Sequence, residues 1–103
     1  MAVVTTTTVQ VKPDRFEEWL EVMRKVIPII EKAGGKNVRV LAGVVAGQQT
    51  GTIVVTQESD DFAAAGAGMD QSFADPEILK ALALGEGNPI AGWQTSFYVD
   101  VPL

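Results

Sequence analysis

Residues 2–33, AVVTTTTVQVKPDRFEEWLEVMRKVIPIIEKA, change rhythm part-way along, and that change decides the fold. From Ala2 to Val11 the side chains alternate. Val3, Thr5, Thr7, Val9 and Val11 share one face, and Val4, Thr6, Thr8 and Gln10 share the other. The threonine run looks like low complexity, but threonine is β-branched and suits a pleated, half-buried surface, so a strand is predicted. From Pro13 to Ala33 the period lengthens. Phe16, Trp19, Leu20, Met23, Val26, Ile27 and Ile30 follow the i, i+3, i+4, i+7 spacing of one helical face, widened by Val22 and Ile29. Pro13 fits a first helical turn, and Asp14, Glu17 and Glu18 put negative charge at the positive end of the helix dipole. Pro28 removes a backbone donor and crowds the carbonyl of Arg24, which predicts a kink or an early end. Gly34-Gly35 supplies a stop.

Beyond that stretch come two more strand-like runs, Asn37 to Ala46 and Thr52 to Glu58, joined by Gly47-Gln48-Gln49-Thr50-Gly51 as a hairpin loop. Val38, Val40, Ala42, Val44 and Ala46 oppose Asn37, Arg39, Leu41, Gly43 and Val45. Ile53 and Val55 oppose Thr52, Val54, Thr56 and Glu58. A helical region, Asp60 to Leu84, opens on Ser59-Asp60-Asp61 as a helix-start signal, with Asp60 expected as a cap. Phe62, Ala65, Met69 and Phe73 line one face of it. Gly66 and Gly68 weaken the helix by roughly 1 kcal/mol each relative to alanine, and close packing on the sheet is their expected use. Asp75-Pro76-Glu77 restarts a short helix carrying Ile78, Leu79 and Leu82, with Asp75 expected as its cap. After the loop Gly85-Glu86-Gly87-Asn88-Pro89, a last alternating run extends from Trp93 to Val101.

The order β-α-β-β-α-β is a split βαβ pattern. It predicts an α+β, ferredoxin-like domain over residues 1–103, with a four-stranded antiparallel sheet and helices on one face. The other sheet face then needs a cover, and a second copy of the chain is the expected one.

Eight basic against thirteen acidic residues give a net charge of −5, with no basic cluster to offset it, which argues against nucleic acid as a partner. No apolar run approaches the roughly 20 residues of a membrane-spanning helix. Met1-Ala2-Val3-Val4-Thr5 lacks the marks of a signal or transit peptide, and the absence of cysteine suits a reducing cytoplasm, which is the expected location. Histidine is absent too. Without His or Cys there is no ordinary zinc site, no His-ligated haem and no Ser-His or Cys-His nucleophile pair. Acid–base work would fall to Asp, Glu, Lys or Tyr. The spacing of Asp60, Asp61, Asp70 and Asp75 matches no calcium loop, so neither a metal nor a cofactor is expected.

The element order, the Lys12-Pro13-Asp14 lead into a long amphipathic helix and the Ala74-Asp75-Pro76-Glu77 restart together resemble the dimeric α/β-barrel group. That group includes the antibiotic-biosynthesis monooxygenase-like and NIPSNAP-like domains. The resemblance covers nearly the whole chain and rests on no catalytic signature. It implies that two ferredoxin-like sheets close face to face into a shared barrel. Members include cofactor-independent oxygenases, haem-handling enzymes, small isomerases and domains with no known activity. Haem-binding and many acid–base members use a histidine that this chain lacks, which leaves a ligand-binding barrel or a catalyst working by confinement and hydrogen bonding.

With Val38, Val40, Ala42, Ile53, Val55, Phe97 and Val99 packed under the helices, the opposite face would line the barrel cleft. It carries Thr6, Thr8, Arg39, Thr56, Glu58, Gln94 and Tyr98, which are the candidate ligand-binding residues. The same face would equally serve as a solvated surface or a polar network holding a dimer. Arg39 and Glu58 lie on neighbouring strands, placed either to pair as a cross-strand salt bridge or to hold a carboxylate or enol. Tyr98 would donate to a quinone or phenol oxygen. Trp19 is expected in the core, and Trp93 at a pocket mouth or simply packed. Both faces of the first strand are rich in Thr and Val, so a one-residue slip would exchange Thr6 and Thr8 for Thr5 and Thr7. The expected function is a small-molecule-binding or accessory protein. The alternative is a cofactor-independent monooxygenase-like or isomerase-like enzyme acting on an enolisable or aromatic substrate.

Overall fold

The computed structural model describes residues 2–44, 47 and 50–103. Strand β1 (Val3–Val11) leads through a 3-10 turn (Pro13–Arg15) into helix α1 (Phe16–Lys32). Strands β2 (Lys36–Ala42) and β3 (Ile53–Ser59) follow, then helices α2 (Phe62–Phe73) and α3 (Pro76–Ala81), and finally β4 (Ile90–Val99). The four strands form one antiparallel sheet in the order β2-β3-β1-β4, the α+β ferredoxin-like arrangement. The expected strand positions Val45 and Ala46, and Gln48 and Gln49 of the expected hairpin loop, lie outside the described residues.

Helix α1 runs unbroken past Pro28 to Lys32, so the expected early end does not occur. Pro28 is exposed, so its ring stands away from the packed face and only one main-chain hydrogen bond is given up. The helix stops at Gly34, whose φ of 101° suits a residue without Cβ. The Gly35 amide then donates to the Ile30 carbonyl at 3.0 Å and the Gly34 amide to Glu31 at 3.1 Å, which is the Schellman closure. Gly35 itself is required by crowding. A Cβ there would lie 2.7 Å from Ile30 Cγ2 and collide with the Gln57 side chain.

The core lies on one side of the sheet. Val9, Ile53, Val55 and Ile90 pack against Trp19, Met23, Val26 and Ile30 of α1 and Ile78 and Ala81 of α3. Ile53 and Val55 are buried as expected, and Val38 packs partly against the core. Val40, Phe97 and Val99 share that face but remain 37–38% exposed, because β2 and β4 are the sheet's two edges. Gly68 does make a close approach, but towards α1 and not the sheet: a Cβ there would sit 3.1 Å from the Ala33 carbonyl oxygen. Gly66 has no neighbour within 4 Å of such a Cβ, so close packing does not explain it.

Two capping expectations sort themselves out at the ends of α2 and α3. Asp61, and not Asp60, caps α2 by accepting from the Ala64 amide at 2.7 Å. Asp60 instead accepts from Lys36 Nζ at 2.6 Å, an ion pair that holds its carboxyl below the usual carboxylate range. Asp75 caps α3 as expected, accepting from the Glu77 amide at 2.9 Å.

Candidate functional site

The alternation of β1 gathers the candidate residues on one side of the sheet. Thr6 stands opposite Thr56 on β3 and Ser96 on β4, and Arg39 continues that row on β2. Thr8 and Gln94 form the next row, and Glu58, Val4 and Tyr98 the row on the other side. Thr6, Thr8, Arg39, Thr56, Glu58, Gln94 and Tyr98 therefore share the helix-free face, in three adjacent rows. Thr6, Thr8, Thr56 and Glu58 are half-buried there, while Arg39, Gln94 and Tyr98 are exposed.

Arg39 and Glu58 do not form the expected pair. The regular register from Arg39 to Ala42 sets Arg39 opposite Thr56, and a register shift between Lys36 and Arg39, with Asn37 at a φ of 50°, then sets Lys36 opposite Glu58. The Glu58 carboxylate accepts instead from Asn37 Nδ2 at 3.1 Å.

A partly open cavity lies on the other side of the sheet, under the helices. Its volume is about 80 Å³, and it is walled by Thr5, Thr7 and Val9 of β1, Val55 and Gln57 of β3, and Thr95 of β4. Trp19, Met23, Val26 and Ile30 flank it from α1, with Met69, Ser72 and Phe73 from α2 and Ile78 and Ala81 from α3. It adjoins a wider recess of about 330 Å³ lined by Met69, Phe73, Trp93, Thr95 and Phe97, three of which line both spaces. Aromatic rings shape this outer recess. Phe73 and Trp93 stand 6.2 Å apart, and Phe97 meets Phe62 at 6.4 Å. The Trp93 indole donates to the Leu82 carbonyl at 3.1 Å, so Trp93 lies at a recess wall with its ring held in place.

The polar atoms of the inner wall are all uncharged. Thr7 Oγ1 and Thr95 Oγ1 lie 2.9 Å apart in a hydrogen bond across β1 and β4. Thr5, Gln57 and Ser72 supply the remaining hydroxyls and amide. Trp19 is 1% exposed, as a core residue should be. Its indole nitrogen is the one fully buried side-chain nitrogen or oxygen among the described residues without a partner in the protein. No Asp, Glu, Lys or Arg lines either space. The described residues include no cluster of acidic side chains able to hold a metal ion.

Thr5 and Thr7, the residues a one-place slip would substitute, are thus the β1 hydroxyls beside the cavity. Gln57 escaped the sequence reading, although a signal was present: it falls two residues after Val55, on the face otherwise set by Ile53 and Val55. Met69 stood on the predicted apolar face of the second helical region, and Thr95 falls two residues before Phe97 on the face turned to the helices; Ser72 gave no such signal, because helix rotation brings it to the cavity.

No protein-family model matches the chain. No curated protein is similar to it in sequence. Solved structures are similar in shape. An uncharacterised NIPSNAP-like domain protein from Burkholderia xenovorans superposes with a TM-score of 0.73 at 13% identity, over 97% of this chain and 85% of that one. A NIPSNAP family protein of unknown function from Agrobacterium tumefaciens gives 0.71 at 15% identity, over 94% and 86%. The fold is that of the NIPSNAP-like proteins. An antibiotic biosynthesis monooxygenase shares it as well, with a TM-score of 0.68 at 16% identity over 97% of this chain and 99% of that one. At these identities the likeness extends to the NIPSNAP-like and monooxygenase-like fold, and each side chain's role rests on its own surroundings.

Proposed function

We propose that the chain is a small-molecule-binding protein whose ligand occupies the cavity between the sheet and the helices. The cavity is the observation that carries this reading. Protein interiors are close-packed, with few voids larger than a water molecule. Here apolar walls with a few hydroxyls and an amide line a partly open space that adjoins a broader aromatic recess. That is the common form of a ligand site. With no ionisable side chain on its walls, the cavity favours binding over proton transfer.

A second copy of the chain would cover the helix-free face, where Thr6, Thr8, Arg39, Thr56, Glu58, Gln94 and Tyr98 gather. Exposed Arg39, Gln94 and Tyr98 together with half-buried threonines suit a polar, self-complementary contact. An enzymatic reading, monooxygenase-like or isomerase-like on an enolisable or aromatic substrate, is favoured by the shared fold with the antibiotic biosynthesis monooxygenase. In it Arg39 and Tyr98 would orient substrate oxygens at the covered face and Glu58 would act as base.

Native mass spectrometry on freshly purified protein tests the binding reading. A dimer carrying extra mass, lost when Ala81→Leu fills the cavity, supports it. Extra mass retained unchanged in folded Ala81→Leu protein would move the ligand elsewhere. A monomer at micromolar concentration would overturn the proposed second copy.

A further inference from the structure

Resting on that reading, the geometry points to the class of ligand and to the residue that selects it: an uncharged aromatic alcohol, its ring in the outer recess and its short hydroxyl-ended arm in the inner cavity against Thr5. Size sets the division. The inner cavity of about 80 Å³ is smaller than the ~150 Å³ apolar cavity that accepts a benzene ring. A ring therefore stays in the recess of about 330 Å³, among Phe73, Trp93 and Phe97, and only a slender arm passes inward. The arm is short because Thr5 stands directly across from Phe97, on strands ~4.8 Å apart.

Charge narrows the choice. Neither space has an ionisable wall residue, and an ion buried without a counter-charge loses more in hydration than its new contacts return. A carboxylate, phosphate or ammonium on the arm is disfavoured on that ground, whereas a neutral group enters.

Thr5 fixes the inner end. It is only 4% exposed, yet its hydroxyl makes no hydrogen bond in the protein, whereas Thr7 and Thr95 beside it are bonded to each other. Nor is that hydroxyl sealed in. Among the described residues Trp19 Nε1 alone is both unpaired and without accessible surface, so Thr5 Oγ1 keeps some, and the cavity is the space that Thr5 lines. Buried hydroxyls in native proteins are nearly always paired, and an exception that borders a cavity marks where a polar group belongs. Gln57 stands across from Thr5 on β3, also lines the cavity, and its amide has no partner in the protein either. Hydroxyl and amide groups both donate and accept. A ligand hydroxyl does both as well, so it can accept from Thr5 while donating to a neighbour. A ketone or ether oxygen only accepts, and a hydrocarbon does neither. Thr5 is thus a specificity-determining residue.

2-Phenylethanol, propylbenzene and phenylacetate test this as a matched set: one ring and one short arm, ended by a hydroxyl, a methyl or an anion. Affinities are read from NMR titrations of protein labelled at its threonine methyl groups. The native protein is expected to bind the alcohol and the hydrocarbon and not the carboxylate. Thr5→Val, which keeps the side chain's shape, should weaken 2-phenylethanol roughly three- to ten-fold and leave propylbenzene unchanged or tighter. Thr5→Ser keeps the hydroxyl and should keep the alcohol's affinity. If Thr5→Val shifts alcohol and hydrocarbon alike, or if the hydrocarbon alone binds, the inference is overturned and the binding site is spared. Phenylacetate binding as tight as the alcohol's overturns the charge selection. Failure of the alcohol at millimolar concentration and of propylbenzene at its solubility limit overturns the cavity reading and this inference together. Should Thr5→Val not fold, proton–proton contacts in the native complex decide: the carbinol CH2 beside the Thr5 methyl supports the assignment, and the phenyl ring there overturns it.

Discussion

At the scale of single residues, two glycines with opposite surroundings make a controlled comparison. Gly35 lies where a Cβ would press on Ile30 and Gln57 at the close of α1, and the Ile30 carbonyl oxygen leaves only 3.0 Å. Backbone atoms cannot step aside as a flexible side chain can. Gly35→Ala should therefore destabilise the fold by about 1–3 kcal/mol, seen as a lower urea midpoint with an unchanged slope. Gly66 lies inside α2 with open space where its Cβ would be and without a positive φ. Gly66→Ala should stabilise by about 0.4–1 kcal/mol, through better helix propensity and a less mobile unfolded chain. If both alanines shift the midpoint the same way, the contrast between crowded and open glycines is wrong. Thr7 supplies a second local test. Thr7→Val leaves Thr95 without its cross-strand partner at the cavity wall, and a loss of about 1 kcal/mol in the same assay is expected.

Elements show where sequence patterns suffice and where they stop. The 3.6-residue stripe of α1 and the alternation of β1 were both readable, because one buried face imposes a strict period on each. The order of elements followed from those periods. Boundaries moved where main-chain detail intrudes: β4 begins at Ile90, ahead of the Trp93 suggested by alternation, and α1 passes through Pro28. The side of the sheet that borders the cavity was not legible, because threonine and valine suit either face of β1. Nor was the slip of β2 at Asn37, a local irregularity that sets Lys36 opposite Glu58, beside the Lys36–Asp60 ion pair. That ion pair joins the start of β2 to the corner between β3 and α2, and its pH dependence has a definite sign. The folded Asp60 carboxyl lies below its ordinary value of 3.8, so the folded state holds its proton less readily than the unfolded chain. The stabilisation is therefore full above the ordinary carboxylate range and disappears as acid protonates the folded group. Asp60→Asn should unfold earlier than the native protein at neutral pH, with the gap closing in acid and shrinking in high salt. A gap that is constant with pH would remove the ion pair from the account.

For the whole molecule, the two sheet faces can be separated by mutation. Thr6 lies in the central row of the helix-free face, so Thr6→Glu places like charges against each other about a two-fold axis if a second copy covers that face. Sedimentation should then shift from dimer to monomer while the helix-side cavity continues to take ligand. Loss of ligand without dissociation would mean that the two faces communicate through the sheet. If instead quinols or phenols are turned over, Tyr98→Phe and Arg39→Ala should abolish turnover, and indifference to both would remove those side chains from any mechanism. The cavity also has a mechanical consequence. Unfolding collapses internal free volume, and hydrostatic pressure favours whichever state occupies less space. This chain should thus be compressible for its size and should denature at lower pressure than a solidly filled protein of equal thermal stability. A molecule lodged in the cavity would stiffen it, so the pressure midpoint becomes a gauge of occupancy that needs no knowledge of the occupant's chemistry.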